Sequence, residues 1–272
     1  MLHDLLTGSI DIFSKEKAVV RVSGTQIMIV GDVHGNIQAL DFLLAMNENF
    51  SCDAIVFLGD YVDRGSDSVS VLCRLLEWKM GIPENVILLR GNHESREMNL
   101  RYGFYRELDF DDELLSLAQA AFSEMPIAAV VNNDVFCVHG GIPGAINIGD
   151  ISKENAFEFM WNDPSKVKGI TPSDRGMGPK CFGNDVFSDF MQLNGLSLMV
   201  RGHSSIIEGY RWWFDNRLLS LFSAPGYCGY PNTGAFVLLK HGNVIIYQFG
   251  PDRSGQYSLK KARGRTDGSR MD

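Results

Sequence analysis

Asp32 and His34 stand two residues apart in Gly31-Asp-Val-His-Gly35, a spacing that lets a carboxylate and an imidazole close on one metal ion past a turn. Asp60, in Gly59-Asp-Tyr-Val-Asp-Arg-Gly65, supplies a carboxylate whose two oxygens suffice to bridge two cations. Asn92, in Gly91-Asn-His-Glu94, offers a neutral carbonyl oxygen, and His139 and His203 offer imidazole nitrogens beside glycines. Oxygen and nitrogen donors without thiolate suit Mn, Fe or Zn better than Cu(I) or an iron–sulfur cluster. Six ligands exceed what one tetrahedral zinc takes and match two metals sharing a carboxylate and a water. Ions about 3.5–4 Å apart clamp the entering and leaving oxygens of an in-line displacement and acidify the shared water. Such a displacement at phosphorus also needs cations on the equatorial oxygens and a proton for the leaving group. Arg64, four residues after Asp60, can hold two phosphate oxygens through its guanidinium. His93, next to Asn92, is a natural general acid, and Asp63 can hold its imidazolium.

Each of these residues needs an element to aim it. Five apolar, β-branched runs end at them: Gln26–Val30, Ala54–Leu58, Val86–Leu89, Asp134–Val138 and Leu196–Val200. Short apolar runs stopped by glycine read as buried strands, and ligands in α/β sheets gather beyond the strand carboxyl ends. Helical spacing of Ile37, Leu40, Leu43 and Leu44, then of Val69, Leu72, Leu75 and Leu76, makes the first third β-α-β-α-β. A helix-rich lead-in and the strand Ala18–Val22 precede it, and Asp112–Glu124 reads as a further helix. Residues 162–183, rich in Gly, Pro, Ser and Lys, read as a long surface loop of the functional or disordered kind. Leu218–Ser223, Ala235–Leu239 and Asn243–Phe249 read as consecutive strands. Residues 1–250 are expected to form one catalytic domain. Residues 251–272, with six Lys or Arg and little apolar content, are expected to form a basic, flexible tail.

Bulk properties narrow the function classes. A chain of 272 residues with 45% hydrophobic and 21% charged residues has ample material for a core. Its net charge of −8 argues against nucleic acid as a partner, which dense Lys and Arg would bind. Five scattered cysteines without a Cys-x-x-Cys support neither a zinc knuckle nor a disulfide framework. No basic-then-apolar leader and no run of about 18 apolar residues is present, so the expectation is a cytoplasmic protein without a membrane partner.

Gly-Asp-x-His-Gly, Gly-Asp-x-Val-Asp-Arg-Gly and Gly-Asn-His-Glu, in this order, resemble the signature of the phosphoprotein phosphatase family, within the calcineurin-like metallophosphoesterase superfamily. The resemblance extends through His139-Gly-Gly141, Trp161-Asn-Asp-Pro164, Asp174-Arg-Gly176, Arg201-Gly-His203 and Ser223-Ala-Pro-Gly-Tyr-Cys-Gly229, and covers about residues 25 to 250. It implies an α/β fold: a β-sandwich of two mixed sheets flanked by helices, with a dinuclear metal site at the sandwich edge. It implies that Asp32, His34 and Asp60 hold one divalent ion and Asp60, Asn92, His139 and His203 the other, Mn being favoured in vitro. By the same resemblance His93 and Asp63 match the proton donor and its orienter. Arg64 and Arg175 match the phosphate-binding arginines, Tyr227 a tyrosine overhanging the site, and Asp163 an acidic residue close to the substrate. The implied reaction is direct attack of a metal-bridging hydroxide on phosphoserine or phosphothreonine in proteins, His93 protonating the leaving oxygen. The family's regulatory subunits find no signature here.

The chain departs from the family pattern in places. It has Ala224-Pro-Gly-Tyr227 where many eukaryotic members read Ala-Pro-Asn-Tyr, and Gly229–Thr233 lacks an acidic and apolar pair often found there. Gly169–Lys180 lacks a usual tryptophan, and the sequence ends soon after its catalytic core, which fits a compact archaeal or bacterial member. Two other functions compete. A dinucleoside polyphosphate hydrolase shares the early motifs but typically has Asp, not Glu94, after the histidine. A pseudophosphatase binding module would normally lack a ligand, and here all six positions are filled. Arg201 reads as structural just inside the rim, and Trp212, Trp213 and Phe214 as packing rather than a nucleobase platform.

Overall fold

The computed structural model describes residues 1–265, with side chains through Lys260. Helix α1 (Leu2–Lys15) leads into β1 (Val19–Val22) and β2 (Gln26–Val30). Helix α2 (Ile37–Asn49), β3 (Ala54–Phe57), α3 (Ser68–Gly81) and β4 (Val86–Leu88) complete the β-α-β-α-β run read from the periodicities. Helices α4 (Arg96–Tyr102), α5 (Phe104–Glu107) and α6 (Asp112–Glu124) precede β5 (Ala128–Val131) and β6 (Val135–Val138). Then come α7 (Phe157–Trp161), the short strands β7 (Asp163–Pro164), β8 (Ile170–Pro172) and β9 (Lys180–Phe182), α8 (Asn184–Asn194) and β10 (Leu198–Arg201). The rest is strand except for one short 3-10 turn, Tyr227–Gly229: β11 (Tyr210–Trp213), β12 (Leu218–Leu221), β13 (Gly234–Lys240), β14 (Asn243–Pro251) and β15 (Tyr257–Arg265).

These strands make two six-stranded mixed sheets, ordered β1-β5-β6-β10-β12-β11 and β15-β14-β13-β2-β3-β4. The two-residue period of a strand assigns each side chain to a layer. Ile27 and Ile29 of β2 enter the core between the sheets, with Val56, Ala129, Cys137, Val200 and Val237. Met28 and Val30 face the other way, into the core that α1, α2, α3 and α6 cover, with Leu6, Leu40, Leu72 and Leu115. Phe136, Val138 and Met199 do the same on the far sheet, against Phe159 of α7 and Phe187 of α8. Burial on both faces is why these strands read as continuous apolar runs instead of alternating ones. This is the expected sandwich.

β2, β3 and β4 run parallel, as do β6, β10 and β12, so their carboxyl ends can converge on one rim. A seam there joins the sheets. Asp32 bridges to Phe222, Ser223 N–H donates to Asp32 O at 3.0 Å, and Gly31 N–H donates to Ser223 Oγ at 2.8 Å. A Cβ on Gly31 would lie 2.4 Å from the Leu221 carbonyl oxygen, so only glycine permits this approach.

Two sequence expectations change. Residues 162–183 hold a small sheet, β7-β9-β8, rather than one uninterrupted loop. Residues 257–265 do not hang free: β15 pairs antiparallel with β14 over Tyr257–Arg265, and residues 266–272 lie outside the described residues. Trp212, Trp213 and Phe214 pack against the core as expected, the two tryptophans from the edge strand β11 paired with β12. Among the described residues no helix is long and apolar enough to cross a membrane.

Candidate metal centre

Asp32 and His34 follow β2, Asp60 follows β3, Asn92 follows β4, His139 follows β6 and His203 follows β10. All six are buried, at 6% exposure or less. The turns that carry them are unusual: His34, Asp60, Asp63, Arg64 and His203 have φ between 43° and 72°, the left-handed region. A side chain there costs about 1–3 kcal/mol and persists only where its surroundings hold it. Here hydrogen bonds do so. Glu94 accepts from Asp60 N and Tyr61 N at 2.8 Å and from Gly91 N at 2.9 Å, while Asp32 Oδ1 accepts from His203 N at 2.9 Å.

The hydrogen bonds also reveal where lone pairs point. Imidazole Nδ1 of His139 lies 2.9 Å from the Leu58 carbonyl oxygen, an acceptor only, so Nδ1 carries the proton and Nε2 a lone pair. That Nε2 faces Asn92 Oδ1 at 2.9 Å, Asp60 Oδ1 at 3.3 Å and His203 Nδ1 at 3.2 Å. His34 repeats the pattern: Nδ1 lies 3.1 Å from the Val62 carbonyl, and Nε2 faces Asp60 Oδ2 at 3.5 Å and Asp32 Oδ2 at 3.9 Å. Lone-pair atoms thus converge at two points with too few protons between them. The two points share the two oxygens of Asp60. A cation at each resolves the clash, so the residues fit two metals bridged by one carboxylate. Burial supports this chemistry, pushing His34, His139 and His203 well below the ordinary histidine range and keeping them neutral. Burial also raises the Asp32 carboxyl to about 7, and burial and Asp32 together raise Asp60. Without cations, this site would rather be protonated than charged.

His93 lies beside this pair of points, its ring 4.8 Å from that of His34, and its nitrogen is also within ligand reach of His34 and Asp60. Its Nδ1 donates to Asp63 Oδ2 at 2.8 Å, which leaves Nε2 for the cavity that His93 lines. The Arg64 guanidinium is exposed and stacks 3.7 Å over the Tyr102 ring. Arg175 reaches the same cavity from the β8–β9 connection, Nη2 donating to the His203 carbonyl at 3.0 Å. Tyr227 stands over the rim with its ring 5.0 Å from His34. Asp163, expected near substrate, sits one layer back: it accepts from Arg175 Nε at 2.5 Å, Arg201 Nη2 at 3.0 Å and Ser204 Oγ at 3.1 Å. Burial pushes its carboxyl up, and Arg201, Arg175 and Ser204 together outweigh this and hold it below its ordinary value. Arg201 is fully buried and bonds to the Gly140 carbonyl, the structural place its sequence position suggested.

Asp32, His34, Asp60, Asn92, His93, His203, Arg64, Arg175 and Tyr227 line one open cavity of about 660 Å³. Glu94, Ser223 and Asn99 hold the site's residues, and sequence reasoning gave none of them that role. Glu94 could have been given it: a carboxylate two residues after a ligand must go somewhere, and three backbone N–H groups receive it. Asn99 and Ser223 carry no such local signal.

A comparison with known protein families matches residues 25–206 to the calcineurin-like phosphoesterases. Serine/threonine-protein phosphatase T of Trypanosoma brucei brucei is 35% identical over 237 residues, 81% of this chain and 50% of that protein. The chain therefore spans about half the length of this curated relative. Among solved structures, a protein serine/threonine phosphatase from Saccharomyces cerevisiae, with similarity to human phosphatase PP5, superimposes with a TM-score of 0.81 at 26% identity. That match covers 98% of this chain and 90% of the other. A cold-active protein-tyrosine phosphatase of a psychrophilic Shewanella shares the fold at a TM-score of 0.65 and 19% identity, over 92% and 84% of the two chains. The shared carboxylate, the histidines aimed by backbone carbonyls and the match over 25–206 agree: this chain is a member of the calcineurin-like phosphoesterase family.

Proposed function

We propose that the chain is a metal-dependent protein serine/threonine phosphatase, a phosphoric monoester hydrolase. The observation that carries this is the convergence, in one cavity, of two lone-pair clusters sharing Asp60, two arginines and an imidazole backed by a carboxylate. The 35% identity to a named serine/threonine phosphatase supports the substrate class. Asp32, His34 and Asp60 would hold one ion and Asp60, Asn92, His139 and His203 the other, with Mn the first choice among Mn, Fe and Zn. Two such ions, when bound, supply Lewis acidity and a water acidified enough to act as nucleophile near neutral pH.

The chain's own residues do the rest. Arg64 and Arg175, both lining the cavity, grip the phosphoryl oxygens, and their charge offsets what develops on those oxygens. Asp163 holds Arg175 in place through two nitrogens. His93, its Nδ1 fixed by Asp63, presents Nε2 to the leaving serine or threonine oxygen and gives it a proton. Tyr227 closes one side over His34. No side chain in the cavity is set as a covalent nucleophile, so no phosphorylated protein residue accumulates. Residues 1–250 form the catalytic unit in this reading, and a cytoplasmic location agrees with five free cysteines.

Phosphate release tests it. The protein, reconstituted with Mn and run beside an EDTA-stripped control, is offered matched phosphothreonine and phosphotyrosine peptides and diadenosine tetraphosphate. Metal-dependent preference for the phosphothreonine peptide is expected. Preference for the dinucleotide or the phosphotyrosine peptide would overturn the substrate class, and silence on all three with metal bound would overturn the enzyme reading.

A further inference from the structure

Behind the His93–Asp63 pair lies a hydrogen-bond chain that no motif of the site includes. Asn99 of α4 is fully buried. Its Nδ2 donates to Asp63 Oδ2 at 3.0 Å and to the His93 carbonyl at 2.7 Å. Carboxylate and carbonyl are acceptors only, so the atom facing them must be the NH2, and the amide orientation follows. Its Oδ1 is engaged as well, accepting from Gln119 Nε2 of α6 at 2.8 Å. Asp63 Oδ1 accepts from Phe104 N at 2.9 Å. Asp63 is therefore fixed by donors on three sides: Asn99, Phe104 and His93 itself.

We infer that Asn99, oriented by Gln119, is a positioning residue for proton delivery, setting the place and angle of His93 through both its partner carboxylate and its own backbone. The inference rests on the reading of His93 as the acid. In that step an O–P bond forms from water, the P–O bond to the alcohol breaks with its electron pair on the leaving oxygen, and that oxygen takes the Nε2 proton of the His93 imidazolium, leaving a neutral ring whose Nδ1–H still faces Asp63. The imidazole is reprotonated from the proton the attacking water gives up. Burial and hydrogen bonding show a residue with two jobs at one atom, and a one-sided packing role would not require its NH2 to reach both Asp63 and His93 O. Removing it takes one of three donors from Asp63 and the one side-chain donor from the His93 carbonyl, so the Nε2 direction is less tightly set. Proton delivery matters most when the leaving group is a poor one, an alkoxide, and least when it is a good one, an aryl oxide.

Leaving-group dependence separates positioning from mere packing. Asn99→Leu, Gln119→Glu and His93→Ala are compared with the parent, each loaded with Mn, on a phosphothreonine peptide and on p-nitrophenyl phosphate. Gln119→Glu keeps its shape but cannot donate from an ionised carboxylate, so it remains informative if Asn99→Leu fails to fold. A general acid supplies ~10²–10⁴-fold, so Asn99→Leu should lower kcat on the peptide about tenfold more than on the aryl ester, with KM and metal content little moved. Gln119→Glu should show the same bias more weakly. Equal losses on both substrates in Asn99→Leu and Gln119→Glu, beside a biased His93→Ala, overturn the inference alone. An unbiased His93→Ala removes the acid assignment, and the inference with it.

Discussion

At the residue scale, the sharpest division is between the groups proposed to hold cations and the group proposed to move a proton. His93 is within ligand reach, so its role must be separated from that of Asp60 by experiment. His93→Ala should keep the protein's metal while kcat on a phosphothreonine peptide falls by ~10²-fold or more, the usual worth of a general acid. Asp60→Asn should instead lower metal content, because each of its carboxylate oxygens faces a different cluster. Metal analysis beside turnover reads both. Loss of metal in His93→Ala would make it a ligand, and full metal in Asp60→Asn would end the shared-carboxylate reading. Asp60, His139 and the other ligand candidates were legible because an apolar run followed by Gly and a donor is a local pattern. Asp163 was legible as a site residue but not as one set behind Arg175, since that depends on Arg201 and Ser204 arriving from β10. Asn99 was illegible for a similar reason: which face of a seven-residue helix points inward is decided by Asp63 and Gln119, 36 residues before it and 20 after.

At the element scale, strands buried on both faces announced themselves, and the strands that were missed are an edge strand and the very short strands of the small sheet. β15 carries Lys260 among its residues and reads as solvated, yet an edge strand needs a partner on one side only, and charge on an edge blocks further pairing. β7, β8 and β9 are two or three residues long and include Pro164 and Pro172, too short for any period to show. Helix docking hides a polar device as well. Lys79 of α3 is fully buried, and its Nζ donates to Glu16 beyond the end of α1, to the Pro83 carbonyl at 2.6 Å and to the Val86 carbonyl at 2.8 Å. Burial lowers Lys79 and raises Glu16, each shift opposed by the other's charge, so desolvation outweighs their attraction. Lys79→Met should then cost ~3 kcal/mol, because Glu16 loses its partner in a poorly solvated place, while Lys79→Met with Glu16→Leu should recover much of that. Urea unfolding of the double variant and of both singles, Lys79→Met and Glu16→Leu, decides it. A double variant as unstable as the sum of its singles would show that the pair is not coupled.

At the scale of the whole molecule, the two sheets meet at a rim that concentrates carboxyls away from water, and the fold's stability must register it. Three buried carboxyls are raised: Asp32 and Glu94 to about 7, chiefly by burial, and Asp60 well above its ordinary value. In an unfolded chain all three titrate near 4. Between about pH 4 and 7 the metal-free fold therefore binds more protons than the unfolded chain, and on this account its stability falls as pH rises. The buried histidines act oppositely. Held well below 6.5, His34, His139 and His203 cost stability as pH drops through 6.5, where the unfolded chain would protonate them. Below pH 6.5 the two effects oppose each other. Above it the histidine effect is complete and only the carboxyls continue, so the metal-free protein should lose stability from about pH 6.5 to 8. Cations reverse that cost, because they bind the deprotonated ligands and bind them better as protons leave. The gap in Tm between Mn-loaded and EDTA-treated protein should consequently widen from pH 6.5 to 8, through a falling metal-free curve as well as a rising loaded one. Thermal melts of both forms across that range measure it directly. A gap that stayed constant or narrowed would mean that the carboxyls at the rim are ionised without a cation, and that something other than metal balances their charge.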